Sequence, residues 1–90
     1  MTPELLSLAP GLWATDAGEG IRSLSSLLRL CFAQEPSAED MYRMRGYNVS
    51  VPPHVRQALF SRSFDNDDLL PTLRKPALIV HGAQDAIVKP

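Results

Sequence analysis

One carboxylate, Asp85, lies in a sequence context that could do chemistry. It follows Gly82 by three residues, and before that glycine come the apolar run 77–80 and His81. A run that is apolar throughout, with Pro76 before it and a glycine after it, favours a strand covered on both faces of a parallel sheet over a short buried helix. Glycine lets the chain turn sharply off the strand end, and open α/β sheets hold their ligands at the carboxyl edge. We therefore expect residues 77–80 to form a strand that presents Asp85 at an active site.

The segment 75–90 resembles the strand and loop that carry the catalytic acid in the α/β-hydrolase fold family. It reads as a proline-led apolar run, a glycine, two residues, an aspartate, a small residue, two apolar residues and a proline. The amphipathic segments before it are similar, at lower specificity, to the cap helices of small bacterial members, on residues 48–56, 59–62 and 65–70. In this family the triad runs Ser, then Asp or Glu, then His along the chain. The resemblance places Asp85 at the acid position.

The resemblance implies one role for Asp85. It would accept a hydrogen bond from an imidazole, fix the tautomer of that ring and stabilise the imidazolium formed during catalysis. From the residue type alone, Asp85 would more simply cap the turn that follows it. No Gly-x-Ser-x-Gly occurs, no histidine follows Asp85, and His81 precedes it, which is the wrong order for the base. We therefore expect the chain to be part of a serine hydrolase that acts on ester-like or other small apolar substrates. The chain alone should be inactive.

The remainder of the chain predicts helices that would position this segment. Residues 1–15 are interpreted as a connector with one turn of helix, 16–74 as a helical cap or lid region, and 75–90 as the acid-bearing strand and loop of a core α/β domain. An apolar stripe at helical spacing predicts a first helix from Asp16 to near Ala33; the stripe consists of Ile21, Leu24, Leu27, Leu28 and Cys31.

Three further helices are predicted after this one. The second runs from Ser37 to a stop at Gly46, an extended link covers 48–51, and the third begins at the pair Pro52 and Pro53. A short fourth helix is predicted around residues 69–70.

The predicted fold class is mostly α with one or two short strands, as an incomplete piece of an α/β-hydrolase fold. A lone strand of the parallel type would leave the backbone hydrogen-bonding groups on both its edges without partners. We therefore expect the missing core sheet, or a partner chain, to cover residues 77–80. The alternative is a non-catalytic helical interaction module whose apolar stripes dock on a partner.

Composition argues against several other functions. A net charge of -1 and a pI near 6.0 give no basic surface for nucleic acid. The most apolar window, 27–33, contains Arg29 and is too short to span a membrane. A single cysteine, Cys31, and the absence of a signal sequence favour a cytoplasmic protein.

We expect no cofactor and no metal ion. His54, His81 and Cys31 lack the spacing of zinc ligands. The acidic run at residues 65–68 lacks the later glycine and glutamate of a calcium loop, so we interpret it as turn chemistry. Seven large apolar or aromatic residues could line an acyl pocket or could equally pack the cap: Trp13, Phe32, Met41, Tyr42, Met44, Tyr47 and Phe60.

Overall fold

The computed structural model describes residues 2–90, and over this range the chain forms four α-helices, one 3-10 helix and an irregular C-terminal segment. The α-helices are α1 (Pro3–Leu12), α2 (Ala17–Leu30), α3 (Ala38–Val49) and α4 (Pro53–Ser61), and the 3-10 helix covers Leu70–Thr72.

Short polar side chains begin the first three helices. The side-chain oxygens of Thr2, Asp16 and Ser37 accept hydrogen bonds from backbone N–H groups three residues further on. Each bond satisfies a donor that the first helical turn leaves without a partner. The predicted helix starts at Asp16 and Ser37 are therefore confirmed. The fourth helix has no side-chain cap and begins instead with Pro53, whose missing N–H costs nothing at that position.

Two predicted boundaries are wrong. Residues 3–12 form a helix of 10 residues, where a connector with one turn of helix was expected. Helix α3, which was predicted to stop at Gly46, continues through this glycine to Val49. No glycine in residues 2–90 has a positive φ. A glycine permits the left-handed conformation that ends a helix but does not impose it, so the predicted stop at Gly46 and the extended link after it do not form.

The helices enclose a small apolar core in which α2 packs against both α1 and α3. The buried cluster consists of Leu12, Leu24, Leu28 and Met41, with Trp13, Leu27, Met44 and Phe60 packed against it. Gly11 sets the approach of α1 to α2, because a Cβ atom at this residue would meet the side chain of Ser23, with its Cβ only 2.7 Å away. The helix pair therefore depends on the absence of a side chain at Gly11.

Arg56 joins α4 to the end of α1 and to the end of α3. Its guanidinium donates hydrogen bonds to the backbone carbonyls of Leu12 at 2.8 Å, Asn48 at 2.9 Å and Val51 at 2.7 Å. Two carbonyls at helix ends and one in the link after α3 thus gain a charged donor. The rings of Trp13 and Phe60 pack beside this junction with centroids 6.1 Å apart.

The predicted strand is wrong. Residues 77–80 have no regular secondary structure, and residues 2–90 contain no β-strand and no sheet. The relative exposures of Leu78, Ile79 and Val80 are 89%, 89% and 86%. A strand exists only when its backbone N–H and C=O groups are paired with a neighbour, and no segment of residues 2–90 pairs with this one. The chain is therefore a small all-helical domain, and the predicted fold class, an incomplete piece of an α/β fold with one or two strands, is corrected accordingly.

The folded chain exposes more surface than its mass requires. Its accessible surface is 7213 Å², whereas a compact monomer of 9.9 kDa exposes about 5,200 Å². Its radius of gyration is 15.8 Å, compared with about 12 Å for a compact domain of 90 residues. The exposed apolar run 77–80 belongs to this excess surface.

In the part of the chain that the structure describes, no helix combines the length and the apolar character needed to cross a bilayer.

Candidate functional site around Asp85

The carboxylate of Asp85 is fixed by its own loop. Its backbone N–H donates to the carbonyl of Gly82 at 3.2 Å, which closes a turn directly after the apolar run. Its Oδ1 atom accepts two backbone hydrogen bonds, from Ile87 N–H at 2.8 Å and from Val88 N–H at 2.9 Å. Side chains of this type commonly bond the backbone two and three residues on. The capping role that the residue type suggests is therefore present, and it uses only one of the two oxygens.

These hydrogen bonds favour the ionised form of the Asp85 carboxyl. The backbone N–H of Val88, and next that of Ile87, lower the pKa of the Asp85 carboxyl below its ordinary value, because both donors stabilise the charged form. Slight burial acts in the opposite direction, and the nearby His81 adds a further small lowering. Asp85 is accordingly a carboxylate at neutral pH.

The second oxygen, Oδ2, remains open. It lies 3.8 Å from Nδ1 of His81, which is too far for a hydrogen bond. Within residues 2–90 no other side chain or backbone donor bonds to it. An ionised carboxylate accepts several hydrogen bonds, so Oδ2 is available to a further N–H donor while Oδ1 holds the group in place.

An open cleft of about 460 Å³ adjoins this carboxylate. One wall is the C-terminal end of α2 with the residues after it, 30–33, and the other is the acid loop, 82–85. The volume falls in the range of small-molecule sites. Phe32 supplies an aromatic side chain to the wall, and the residues that line the cleft include no serine and no histidine. The cleft therefore offers an acid and an apolar surface, without a hydroxyl nucleophile or an imidazole.

Cys31, which lines the same cleft, is not activated as a nucleophile. Partial burial, and next the negative charge of Asp85, raise the pKa of its thiol. The thiol donates to the carbonyl of Leu27 at 3.4 Å. Activated cysteines have lowered pKa values and lie near positive groups, so Cys31 stays a thiol at neutral pH. It is exposed rather than the small core residue that its place in the stripe predicts.

One residue beside the site was missed by the sequence reasoning. Thr2 is buried, with 3% of its surface exposed, and its hydroxyl donates to the carbonyl of Ala86 at 2.7 Å. The pair Thr2-Pro3 is a sequence signal for a helix start, and it could have shown that Thr2 caps a helix. Nothing in the local sequence indicates the contact with Ala86, since 84 positions separate the two residues.

Of the other residues considered from sequence, only Phe32 lines the cleft. His54 and the acidic run 65–68 are exposed, and no three His, Cys, Asp or Glu side chains in residues 2–90 come together as a metal site. Among the seven candidate pocket residues, Phe32 reaches the cleft, Tyr42 and Tyr47 are exposed, and the rest contribute to or pack against the core: Trp13, Met41, Met44 and Phe60.

Comparison with known proteins identifies no relative: no family model, no curated protein and no solved structure matches this sequence. The resemblance to the α/β-hydrolase family stays a prediction from the residues around Asp85.

Proposed function

We propose that this chain supplies the acid of a serine-hydrolase triad, Asp85, to an active site whose nucleophile and histidine belong to polypeptide outside these residues. The observation that carries the proposal is the difference in hydrogen bonding between the two carboxylate oxygens of Asp85. Oδ1 accepts the N–H groups of Ile87 and Val88, while Oδ2 has no hydrogen-bond partner among residues 2–90.

This arrangement suits the task of a triad acid. The acid must hold an imidazole in one orientation and stay ionised while that ring gains a proton. Two backbone donors restrict rotation of the carboxylate and favour its charged form. A prefixed negative charge stabilises the developing imidazolium without reorganisation during the reaction. The open Oδ2 leaves room for the Nδ1–H of an incoming histidine.

The cleft beside Asp85 favours a small neutral substrate. Phe32 and the end of α2 provide apolar contact, and the volume of about 460 Å³ accommodates a short acyl or alkyl group. The Asp85 charge disfavours anions, as its effect on the Cys31 pKa illustrates. Ester-like substrates without a carboxylate are therefore the proposed class, in a cytoplasmic enzyme that uses no cofactor.

The remaining polypeptide would cover the apolar run before the loop. Leu78, Ile79 and Val80 are each more than 85% exposed, and three adjacent aliphatic side chains in water favour burial against a partner. The excess accessible surface of roughly 2,000 Å², relative to a compact monomer, exceeds what one partner typically buries in a stable complex. Covering 77–80 would bring the partner against the loop that carries Asp85.

The proposal is tested by expressing this reading frame together with its flanking genomic DNA. The assay measures hydrolysis of p-nitrophenyl acetate by the protein produced. A Gly-x-Ser-x-Gly and a histidine encoded in that DNA, and a loss of about 10⁴ in kcat for Asp85→Asn, are expected. Asp67→Asn is the matched control, because Asp67 is exposed and does not line the cleft, so kcat of this variant should stay at the wild-type value. A loss of less than tenfold for Asp85→Asn would remove it from the mechanism.

A second candidate function, a non-catalytic helical interaction module, is favoured by the exposure of 77–80. The two candidates differ in the effect of Asp85. In the interaction module, Ile79→Asp abolishes binding to the partner, Asp85→Asn leaves the affinity unchanged, and no assembly of the chain hydrolyses p-nitrophenyl acetate. In the hydrolase, Ile79→Asp prevents assembly and so removes turnover, and Asp85→Asn lowers kcat by about 10⁴.

A further inference from the structure

A single peptide group in the acid loop is held from both sides. Its carbonyl, from Ala86, accepts the hydroxyl of Thr2 at 2.7 Å, and its N–H, from Ile87, donates to Oδ1 of Asp85 at 2.8 Å. The unit is planar and trans, so fixing its carbonyl also fixes the direction of its N–H. Thr2 and Asp85 are therefore connected through one rigid group.

We propose that Thr2 is a positioning residue for Asp85, which it orients by fixing the peptide between Ala86 and Ile87. The catalytic purpose of this device rests on the proposed function, whereas the positioning itself does not. A hydrogen bond to a carbonyl also polarises the peptide and strengthens its N–H as a donor. Thr2 thus directs the Ile87 N–H at the carboxylate and improves the bond it makes.

The geometry of Thr2 suits this role. Its Oγ1 atom accepts the Leu5 N–H at 3.4 Å as the cap of α1, and the same hydroxyl donates to Ala86. A threonine hydroxyl has one donor and two acceptor sites, so the two bonds are compatible. Within residues 2–90, the bond from Thr2 to Ala86 is the one hydrogen bond that ties 82–90 to the helices. The acid loop therefore takes its orientation from the start of α1.

NMR on the complete chain tests this role with Thr2→Val, which keeps the shape and removes the hydroxyl. Two other titratable side chains face Asp85, His81 on its own segment and Cys31 across the cleft. Both residues are retained in the Thr2→Val variant. We expect the pKa of the Asp85 carboxyl, followed by ¹³C, to rise toward its ordinary value. We also expect the Ile87 amide to exchange with solvent about five to ten times faster, as loss of one hydrogen bond predicts. Thr2→Ser should restore both wild-type values.

Two controls separate positioning from general destabilisation. Ser37→Ala removes the equivalent cap of α3. The Ser37 hydroxyl accepts from Asp40 N–H and makes no hydrogen bond to the acid loop. The pKa of Asp85 and the exchange rate of the Ile87 amide should therefore stay at their wild-type values. Thr2→Asp keeps an acceptor for the helix start but has no proton to donate when ionised. Faster exchange of the Ile87 amide is expected in Thr2→Asp even if Thr2→Val does not fold.

Wild-type exchange of the Ile87 amide in Thr2→Asp, or equal effects of Thr2→Val and Ser37→Ala on Asp85, would overturn the role of Thr2. These readouts do not depend on turnover. Failure of the hydrolase proposal would leave the effect of Thr2 on Asp85 intact, and failure here would leave the loss of kcat in Asp85→Asn intact.

Discussion

Adding a methyl group at Gly11 tests the packing of α1 on α2. Gly11→Ala places a Cβ against the side chain of Ser23. The Oγ atom of Ser23 can rotate away, but the Cβ atom of Ser23 lies 2.7 Å from the added atom and cannot move without its backbone. The two helices must therefore separate. Overpacking of this kind costs about 1–3 kcal/mol, while alanine in place of glycine in a helix gains about 0.5–1 kcal/mol. The net expectation is a loss of about 1 kcal/mol, and at most about 2.5 kcal/mol, in the free energy of unfolding.

Gly46→Ala is the matched control for this substitution. Gly46 also lies inside a helix, and a Cβ there meets nothing within 4 Å. We expect it to stabilise the chain by about 0.5–1 kcal/mol. Urea unfolding followed by circular dichroism at 222 nm gives both values, and Tm should move in opposite directions, by roughly 4–8 °C per kcal/mol. Equal stabilisation by the two alanines would refute the close approach at Gly11.

Three further predictions concern the core and the site. Leu24→Ala should cost about 2–5 kcal/mol in urea unfolding, because Leu24 is 2% exposed; a cost as small as that of an exposed leucine would contradict the core. The lowered pKa of Asp85 stabilises the fold above the ordinary carboxyl pKa, and this contribution disappears as the pH falls through the lowered value. Melts should therefore show the wild type losing its advantage over Asp85→Asn on acidification, whereas a constant difference would exclude the linkage. Alkylation of Cys31 by iodoacetamide at neutral pH should be slower than that of a free thiol because its pKa is raised; faster labelling would contradict this.

The parts of this structure that the sequence could predict are local. Asp16 and Ser37 begin helices through bonds to N–H groups three residues away, and such signals lie within one turn. The turn at Asp85 is equally local, since Gly82, Ile87 and Val88 make all its backbone bonds. Gly46 is the exception, because a glycine fits both a helix end and a helix interior.

The parts that could not be predicted depend on distant partners. An apolar run such as 77–80 has the composition of a buried strand, but pairing requires a second strand that residues 2–90 do not provide. The bond from Thr2 to Ala86 joins positions 84 residues apart, and no periodic pattern reports such a contact. The cleft between the end of α2 and the acid loop is of the same kind, so Phe32 could not be distinguished from the other aromatic residues in advance.

The turnover of Asp85→Asn in the assembled enzyme is the most direct measurement, because asparagine preserves the shape of the side chain and removes the charge offered to the imidazole. We expect kcat for p-nitrophenyl acetate to fall by about four orders of magnitude, with KM little changed. A variant that retains a tenth or more of the wild-type kcat would show that the open oxygen of this carboxylate has no part in catalysis.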